Sequence, residues 1–455
     1  MNENRSSFTG KLGFVLAAAG SAVGLGNIWR FPYLAAKYGG GIFLLVYLIL
    51  AVTFGFSLMI AEIAIGRKTG LSAIGAFNKL NSKFKFIGII AASIPIIIFP
   101  YYSVIGGWVT KYLAVFLTDE ASTAASDTYF SDFIAKPVEP IVWLAVFLGI
   151  TSVIVMLGVQ KGVEKVSKIM MPVLILLTLF IAVYTMFLPG AWEGVLYYIT
   201  PDFSRFSATT VLAAMGQLFY SMSLAMGIMI TYGSYMKKDV NLESSVHQIE
   251  VFDTGVAFLA GLMVIPSVFV FSGGDEAALG KGPSLMFITL PKVFDSMTGG
   301  PIIGGAFFLL VLFAALTSSI SLMETIVSIF QDKFKISRTK TCLLVLAGAF
   351  LLGIPSSLGN GMWSHIAIPT QGLPLTILDM FDFLANSVLM PVVAILTCIF
   401  VGYILKPQAL MDEIEVSAPF KSKKLFTVVI KYVAPVCIVL ILVSSVLDIL
   451  GIFKI

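Results

Sequence analysis

"GSAVGLGNIWRFP", Gly20 to Pro32, lies inside the first long apolar run of the chain. Glycine and asparagine are weak helix formers, and proline breaks helices. Hydrocarbon penalises every unpaired backbone group. One proline is enough for a kink, and small residues are enough for a close helix contact. Gly20, Gly24, Gly26, Asn27 and Arg30 together exceed both needs. The stretch therefore predicts a membrane helix that unwinds at Ser21–Gly26. Carbonyls freed there can ligate a small hard cation, and amides freed at the start of the second half-helix attract an anion. Asn27 adds a side-chain oxygen. Such a site suits a cation held together with a carboxylate.

Composition points the same way. Of 455 residues, 58% are hydrophobic and 12% charged, with a mean hydropathy of +0.98. Apolar stretches long enough to span a bilayer recur along the chain. Eleven spans are expected, near 11–37, 41–66, 87–117, 139–158, 166–189, 207–236, 246–272, 299–330, 341–358, 374–405 and 426–450. The connections "LPGAWEG", "SGGDEAALGKGPS" and "GIPSSLGNG" carry turn chemistry. Arg5 and Lys11 before a short apolar run imitate a signal peptide, but the segment stays apolar past any cleavage point and more spans follow.

The net charge of +4 is spread over short loops, which gives no basic patch for nucleic acid. Lys79, Lys83, Lys85, Lys161, Lys165, Lys168, Lys237, Lys238, Lys333, Lys335, Arg338, Lys340, Lys421, Lys423 and Lys424 fall on one side if the N-terminus is cytoplasmic. An odd number of spans then places the C-terminus outside. Cys342, Cys398 and Cys437 all sit in predicted spans, so no disulfide framework is expected. His247 and His365 are far apart, and no HExxH or Cys/His metal spacing occurs. "GLGNIW" lacks a third glycine and a preceding strand, so it is no dinucleotide fingerprint. "LGKGPS" lacks the serine or threonine directly after lysine that a phosphate loop needs.

Other spans carry polar groups at depth. "GQLFYSMSLAMG", Gly216 to Gly227, predicts a second interruption at Ser221–Gly227; its hydroxyls could otherwise bond back to their own helix. The two breaks lie five spans apart in order, so the second half would be inverted. In "FAALTSSIS", Thr317 and Ser318 lie one turn beyond Ala314, an oxygen-rich face that suits sodium or an interhelical hydrogen bond. Asp253, deep in "VFDTGVAF", costs roughly 2.5–3.5 kcal/mol to insert and so needs a partner, either a bound cation or a structural one. Arg30 and Asp382 read as a second buried pair of charges, unless Arg30 snorkels outward.

"GSAVGLGNIWRFPY" with "GGGIFLLVY", then "FPYYSVIGGW", "GQLFYSMSLAMG", "ITLP", "LTSSIS" and "LDMFDF" resemble, in order and over nearly the whole chain, the neurotransmitter:sodium symporter family, in its bacterial amino-acid branch. The resemblance implies an all-α integral membrane protein of leucine-transporter-like fold. Two inverted five-helix repeats, 11–189 and 207–405, would surround broken helices 1 and 6, with an eleventh helix at 426–450. Transporters of this family hold substrate where matching half-helices break.

Carried over position by position, the resemblance implies two sodium ions. The first site would use the Ala22 carbonyl, Asn27, Ser221 and Asp253, completed by the substrate carboxylate. The second would use the Gly20, Val23 and Ala314 carbonyls with Thr317 and Ser318. Substrate carboxylate would meet the Gly26 amide and Tyr102. Substrate ammonium would meet carbonyls around Ala22, Tyr220 and Ser221, and the Ser223 side chain. Ser21, Leu25, Ile98, Met226, Ser318 and Leu322 would line the side-chain pocket. Tyr220 with Arg30 and Asp382 would form an outer gate; Arg5, Ser234, Tyr235 and Asp332 would form an inner one. "GVEKVSKIMMP", Gly162 to Pro172, matches the family's Gly-x9-Pro segment, linked to opening the inward path.

Three departures refine the expectation. Asp253 stands where many relatives carry asparagine, and Ala257 where chloride-dependent relatives carry serine. A fixed carboxylate near Tyr47, Gln217 and Ser221 would replace chloride, so none is expected. Position 24 is glycine where monoamine carriers have aspartate, which favours a substrate bringing its own carboxylate. The second break reads Ala225-Met226-Gly227 in place of Gly-x-Gly, and the extra methyl trims the pocket. The resulting expectation is a sodium-coupled importer of an amino acid, hydrophobic because the lining is apolar, working by alternating access in the plasma membrane. Alternatives are a carrier of small amino acids (glycine or alanine), a non-transporting amino-acid sensor, and a channel. An enzyme is not expected, since Thr317-Ser318-Ser319 has no histidine or lysine beside it. The partners are the amino acid and the bilayer; oligomeric state is not encoded in these motifs.

Overall fold

The computed structural model describes residues 6–118, 120–272, 283–369 and 374–449. Among them the only β-structure is two isolated bridges, Gly40 to Pro201 and Ile368 to Leu375. Nine helices among the described residues are long and apolar enough to cross a membrane. They are Gly41–Thr69, Ser82–Phe116, Glu139–Met156, Val159–Met186, Leu242–Ser272, Gly300–Phe334, Arg338–Leu358, Ile377–Ile404 and Lys423–Leu447. Their polar backbone is satisfied within each helix, which hydrocarbon demands.

The first span is a bent pair, Lys11–Ala22 and Gly26–Lys37, at 55°. Val23 leaves the helix in an extended conformation (φ −71°, ψ 102°). The Gly24 amide then donates to Asn27 Oδ1 at 3.0 Å, so the asparagine caps the break from within. Pro32 is accommodated because the widened turn Gly26–Arg30 precedes it.

The predicted sixth span is two short helices, Ala208–Ser221 and Ile228–Ser234. Ser207 caps the first, its Oγ accepting from the Thr210 amide at 3.1 Å. Between them Ser223 (φ 53°), Ala225 (φ 62°) and Gly227 (φ 74°) take left-handed backbone. The two non-glycine residues each cost on the order of 1–3 kcal/mol there. Hydrogen bonds offset that cost: the Ala225 amide donates to Glu62 Oε1 at 2.6 Å, and Ser223 Oγ donates to the Ser21 carbonyl at 2.9 Å.

Close packing holds the breaks in register. A Cβ at Gly66 would lie 1.9 Å from the Ile230 carbonyl oxygen, and one at Gly233 would lie 2.3 Å from that of Ile63. These reciprocal glycines let Ile228–Ser234 lie against Gly41–Thr69 backbone to backbone. The long helix Gly300–Phe334 crosses Ser82–Phe116 and touches Lys11–Ala22. The first, third, sixth and eighth spans thereby meet at the molecule's centre.

Two boundaries differ most from expectation. Val159–Met186 begins seven residues before 166, because a widened turn, Val159–Glu164, carries Gln160, Lys161 and Glu164 into the helix. The third span starts at Ser82 through a single 3-10 turn.

Candidate functional site

The two breaks face each other across one cavity of about 430 Å³ of atom-free space. Ser21, Ala22, Leu25 and Gly26 line it from the first break, and Tyr220, Ser221, Ser223 and Met226 from the second. Ile98 and Tyr102 come from the third span, Ser318 and Leu322 from the eighth. All twelve residues expected to hold substrate therefore meet in one place. Gly24, Asn27 and Ile228 complete the wall. Ile228 was legible only as the residue following Gly227.

The cavity is polar at one end and apolar at the other. Ile98, Met226 and Leu322 form its apolar part. The buried Tyr102 hydroxyl faces the Leu25 backbone and the Ser318 side chain. The Tyr220 ring covers Gly26; a Cβ there would lie 2.6 Å from its Cε1 atom.

Asp253 is fully buried at the edge of this cavity. Its Oδ1 accepts from Asn27 Nδ2 at 2.7 Å and from Ser221 Oγ at 2.8 Å. Tyr47 OH donates weakly to Oδ2 at 3.4 Å. Asn27 thus points its amide nitrogen at Asp253 and its Oδ1 at the Gly24 amide. Gln217 Nε2 donates to the Gly26 carbonyl at 3.0 Å, and its buried Oε1 has no partner among the described residues. Asn27, Ser221 and Asp253 therefore meet in one polar corner, next to the cavity wall that Ala22 helps to form.

A second oxygen-rich corner joins the first and eighth spans. Ser318 Oγ lies 3.2 Å from the Ser21 carbonyl and 3.4 Å from that of Val23. Thr317 Oγ1 donates to the Phe313 and Ala314 carbonyls at 2.9 and 3.1 Å. A Cβ at Gly20 would lie 3.2 Å from the Thr317 Cβ, so the two chains touch.

The expected gates differ in detail. Arg30 and Asp382 line one vestibule of about 960 Å³ above Tyr220. Among the described residues they form no ion pair, and both are half-buried, which corrects the expected buried pair. Arg30 lies over the Tyr220 ring, 5.1 Å from its centroid. Asp382 Oδ1 instead accepts from Tyr101 OH at 2.9 Å and Asn386 Nδ2 at 2.6 Å.

On the opposite side Arg5 lies outside the described residues. Tyr235 OH donates to Glu324 Oε1 at 2.8 Å, and Glu324 also pairs with Arg338. Asp332 accepts from the Ser72 amide and hydroxyl at 2.8 and 2.6 Å. Ser234 Oγ bonds back to the Thr231 carbonyl. Phe8 packs edge-on against Phe14, Tyr232 and Tyr235. Glu164, inside the Gly162–Pro172 segment, accepts from the Thr9 amide at 2.9 Å, from the Thr9 hydroxyl, and from Lys168 at 2.6 Å. Sequence reasoning quoted that segment but missed Glu164, because its partner is 155 residues away.

The sodium:neurotransmitter symporter family model matches residues 5–132 and 128–452. The chain belongs to that family. It is a multi-pass, sodium-dependent membrane transporter and not an enzyme. It is 33% identical over 446 residues to YhdH, an uncharacterised sodium-dependent transporter of Bacillus subtilis, covering 95% of this chain and 96% of that one. An uncharacterised sodium-dependent transporter of Methanocaldococcus jannaschii is 36% identical over 412 residues, covering 87% and 81%. The crystal structure of MhsT in complex with L-phenylalanine is 38% identical and superposes with a TM-score of 0.86, covering 97% of this chain and all of that one. The symporter's broken first span and its cavity therefore sit in a leucine-transporter-like fold.

Proposed function

We propose that this symporter imports a hydrophobic amino acid with two sodium ions, without chloride, by alternating access. The observation that carries the proposal is the single cavity at the meeting of two helix breaks, whose polar end holds Gly26 and the buried Tyr102 hydroxyl. That end suits a carboxylate, while the Ala22, Tyr220 and Ser221 carbonyls suit an ammonium. Ile98, Met226 and Leu322 would take an apolar side chain; Met226 is flexible enough for aromatic or branched ones. A relative of known structure holds L-phenylalanine, which supports the same class here.

In this reading the first sodium sits among Ala22, Asn27, Ser221 and Asp253, touching the substrate carboxylate. The second sits among Gly20, Val23, Ala314, Thr317 and Ser318. Each ligand completes the other's site, so each raises the other's affinity. Every sodium entering with the field gains about 2.3 kcal/mol per 100 mV, which drives accumulation. Asp253 takes chloride's place. Tyr220, Arg30 and Asp382 close the outer side; Arg5, Ser234, Tyr235 and Asp332 close the inner one.

The same reading counts eleven spans, the sixth being the pair Ala208–Ser221 and Ile228–Ser234. It groups 11–189 and 207–405 as inverted repeats and places the protein in the plasma membrane, N-terminus inside and C-terminus outside. The test is uptake of a panel of radiolabelled amino acids into proteoliposomes, with an inward sodium gradient and gluconate replacing chloride. Accumulation of a hydrophobic amino acid is expected. Accumulation of glycine or alanine alone would favour the small-substrate reading, and binding without accumulation would favour a sensor.

A further inference from the structure

A second cavity, away from the substrate site, lies between the third, eighth and ninth spans. It is an open groove with about 540 Å³ of atom-free space, part of it outside the protein surface. Phe99 and Pro100, Phe330, and Leu344, Gly348 and Leu352 form its wall. Thr341 supplies the one hydroxyl, already donated to the Ser337 carbonyl at 3.0 Å. Water in such a groove would find no partner, and apolar cavities stay dry.

The groove opens sideways, toward the bilayer. Leu344 is 62% exposed and Leu352 46%, and both lie in a membrane-spanning helix. Gly348 sits between them in the helix interior, where glycine costs about 1 kcal/mol relative to alanine. A Cβ placed there meets nothing within 4 Å. Backbone packing therefore does not require glycine here, and the space beside it is free for a larger group.

The mouth of the groove is basic. Lys335 and Lys340 are exposed, and each is the chain neighbour of a lining residue, Ile336 or Thr341. Arg338, between them, is spent on Glu324 and the Val155 carbonyl. The nearby carboxylate Asp332 is turned toward Ser72. Cations at the end of an apolar groove match an anionic headgroup attached to an acyl tail; each basic residue near an anionic membrane surface is worth about 1 kcal/mol.

We infer that this groove is a binding site for one acyl tail of an anionic phospholipid, with Lys335 and Lys340 at its headgroup. It shares the third and eighth spans with the substrate cavity: Phe99 and Pro100 lie on the turn that carries Ile98 and Tyr102. The bound tail thus packs against the back of helices that line the transport site.

The full chain in nanodiscs of equal parts phosphatidylglycerol and phosphatidylcholine tests this, with a trace of either lipid carrying a diazirine near the tail end. After irradiation, peptide mapping by mass spectrometry locates the label. Label is expected at 96–100, 326–330 and 344–352, several-fold more from the phosphatidylglycerol probe. Gly348→Leu, which fills the groove, should remove most of that label and leave label on Lys423–Leu447 unchanged. Lys335→Gln with Lys340→Gln, a surface change that leaves the fold alone, should equalise the two probes. Equal labelling of the wild type by both lipids would overturn the inference, as would unchanged labelling in Gly348→Leu.

Discussion

Replacing Asp253 separates its charge from its hydrogen bonds. Oδ1 accepts from both Asn27 Nδ2 and Ser221 Oγ, whereas Oδ2 meets only Tyr47 OH, at 3.4 Å. In Asp253→Asn the amide oxygen keeps both strong contacts, and the new NH₂ faces a hydroxyl that can accept. Shape and bonding survive, and only the charge is lost. A sodium ion seated roughly 4 Å away interacts with that charge by about 4 kcal/mol at an effective dielectric of 20. At about 1.4 kcal/mol per decade this puts the expected loss of sodium affinity on the order of a thousandfold. The assay is a sodium titration of radiolabelled amino-acid binding to purified protein, in gluconate. Asp253→Ser should behave as badly there, but it leaves three donors around an anion-sized gap. Added chloride should therefore rescue Asp253→Ser and leave Asp253→Asn impaired. Wild-type sodium dependence of Asp253→Asn in gluconate would refute the electrostatic role of the carboxylate.

Three further substitutions probe the remaining walls. In Gly24→Ala, the new Cβ would lie 2.8 Å from Ser318 Oγ and 3.4 Å from Tyr102 OH. Overpacking of about 1–3 kcal/mol should lower substrate affinity roughly 10- to 100-fold, read by equilibrium binding. Thr317→Ala removes one hydroxyl worth about 1 kcal/mol, so half-saturating sodium should rise roughly fivefold while substrate affinity at saturating sodium holds, read by sodium-dependent uptake. Phe8→Ala removes the ring packed on Phe14, Tyr232 and Tyr235. That should cost the closed inner side about 3–5 kcal/mol and raise alkylation of a cysteine at Ser234→Cys at least tenfold in a cysteine-free background. Unchanged alkylation would show that Phe8 does not hold the inner side shut.

The breaks were legible because their residue types have few other uses at membrane depth. Glycines, an asparagine and hydroxyls inside an apolar run predict unwinding, and the helices end at Ala22 and Ser221 as those residues suggest. The boundaries near charged residues were less legible. Gln160, Lys161 and Glu164 read as a loop, yet they form a widened helical turn because Glu164 has partners inside the protein. Polarity marks a loop only when the polar groups face water.

Partner choice was the least legible feature, and its cause is geometric. Opposite charge suggests that Arg30 pairs with Asp382, yet Asp382 takes Tyr101 and Asn386 while Arg30 lies over Tyr220. Burying an ion pair costs desolvation on both sides, so two neutral donors and an aromatic face compete well with it. The two sides of the cavity are closed unequally as a result. Beyond Tyr220 the vestibule holds the Arg30 cation–π contact and the hydrogen bonds of Asp382 with Tyr101 and Asn386. On the far side Phe8, Glu164, Tyr235 with Glu324, and Asp332 with Ser72 form separate fastenings. Opening that side must break several of them together, whereas opening the other requires Tyr220 and Arg30 to move and Tyr101 to part from Asp382.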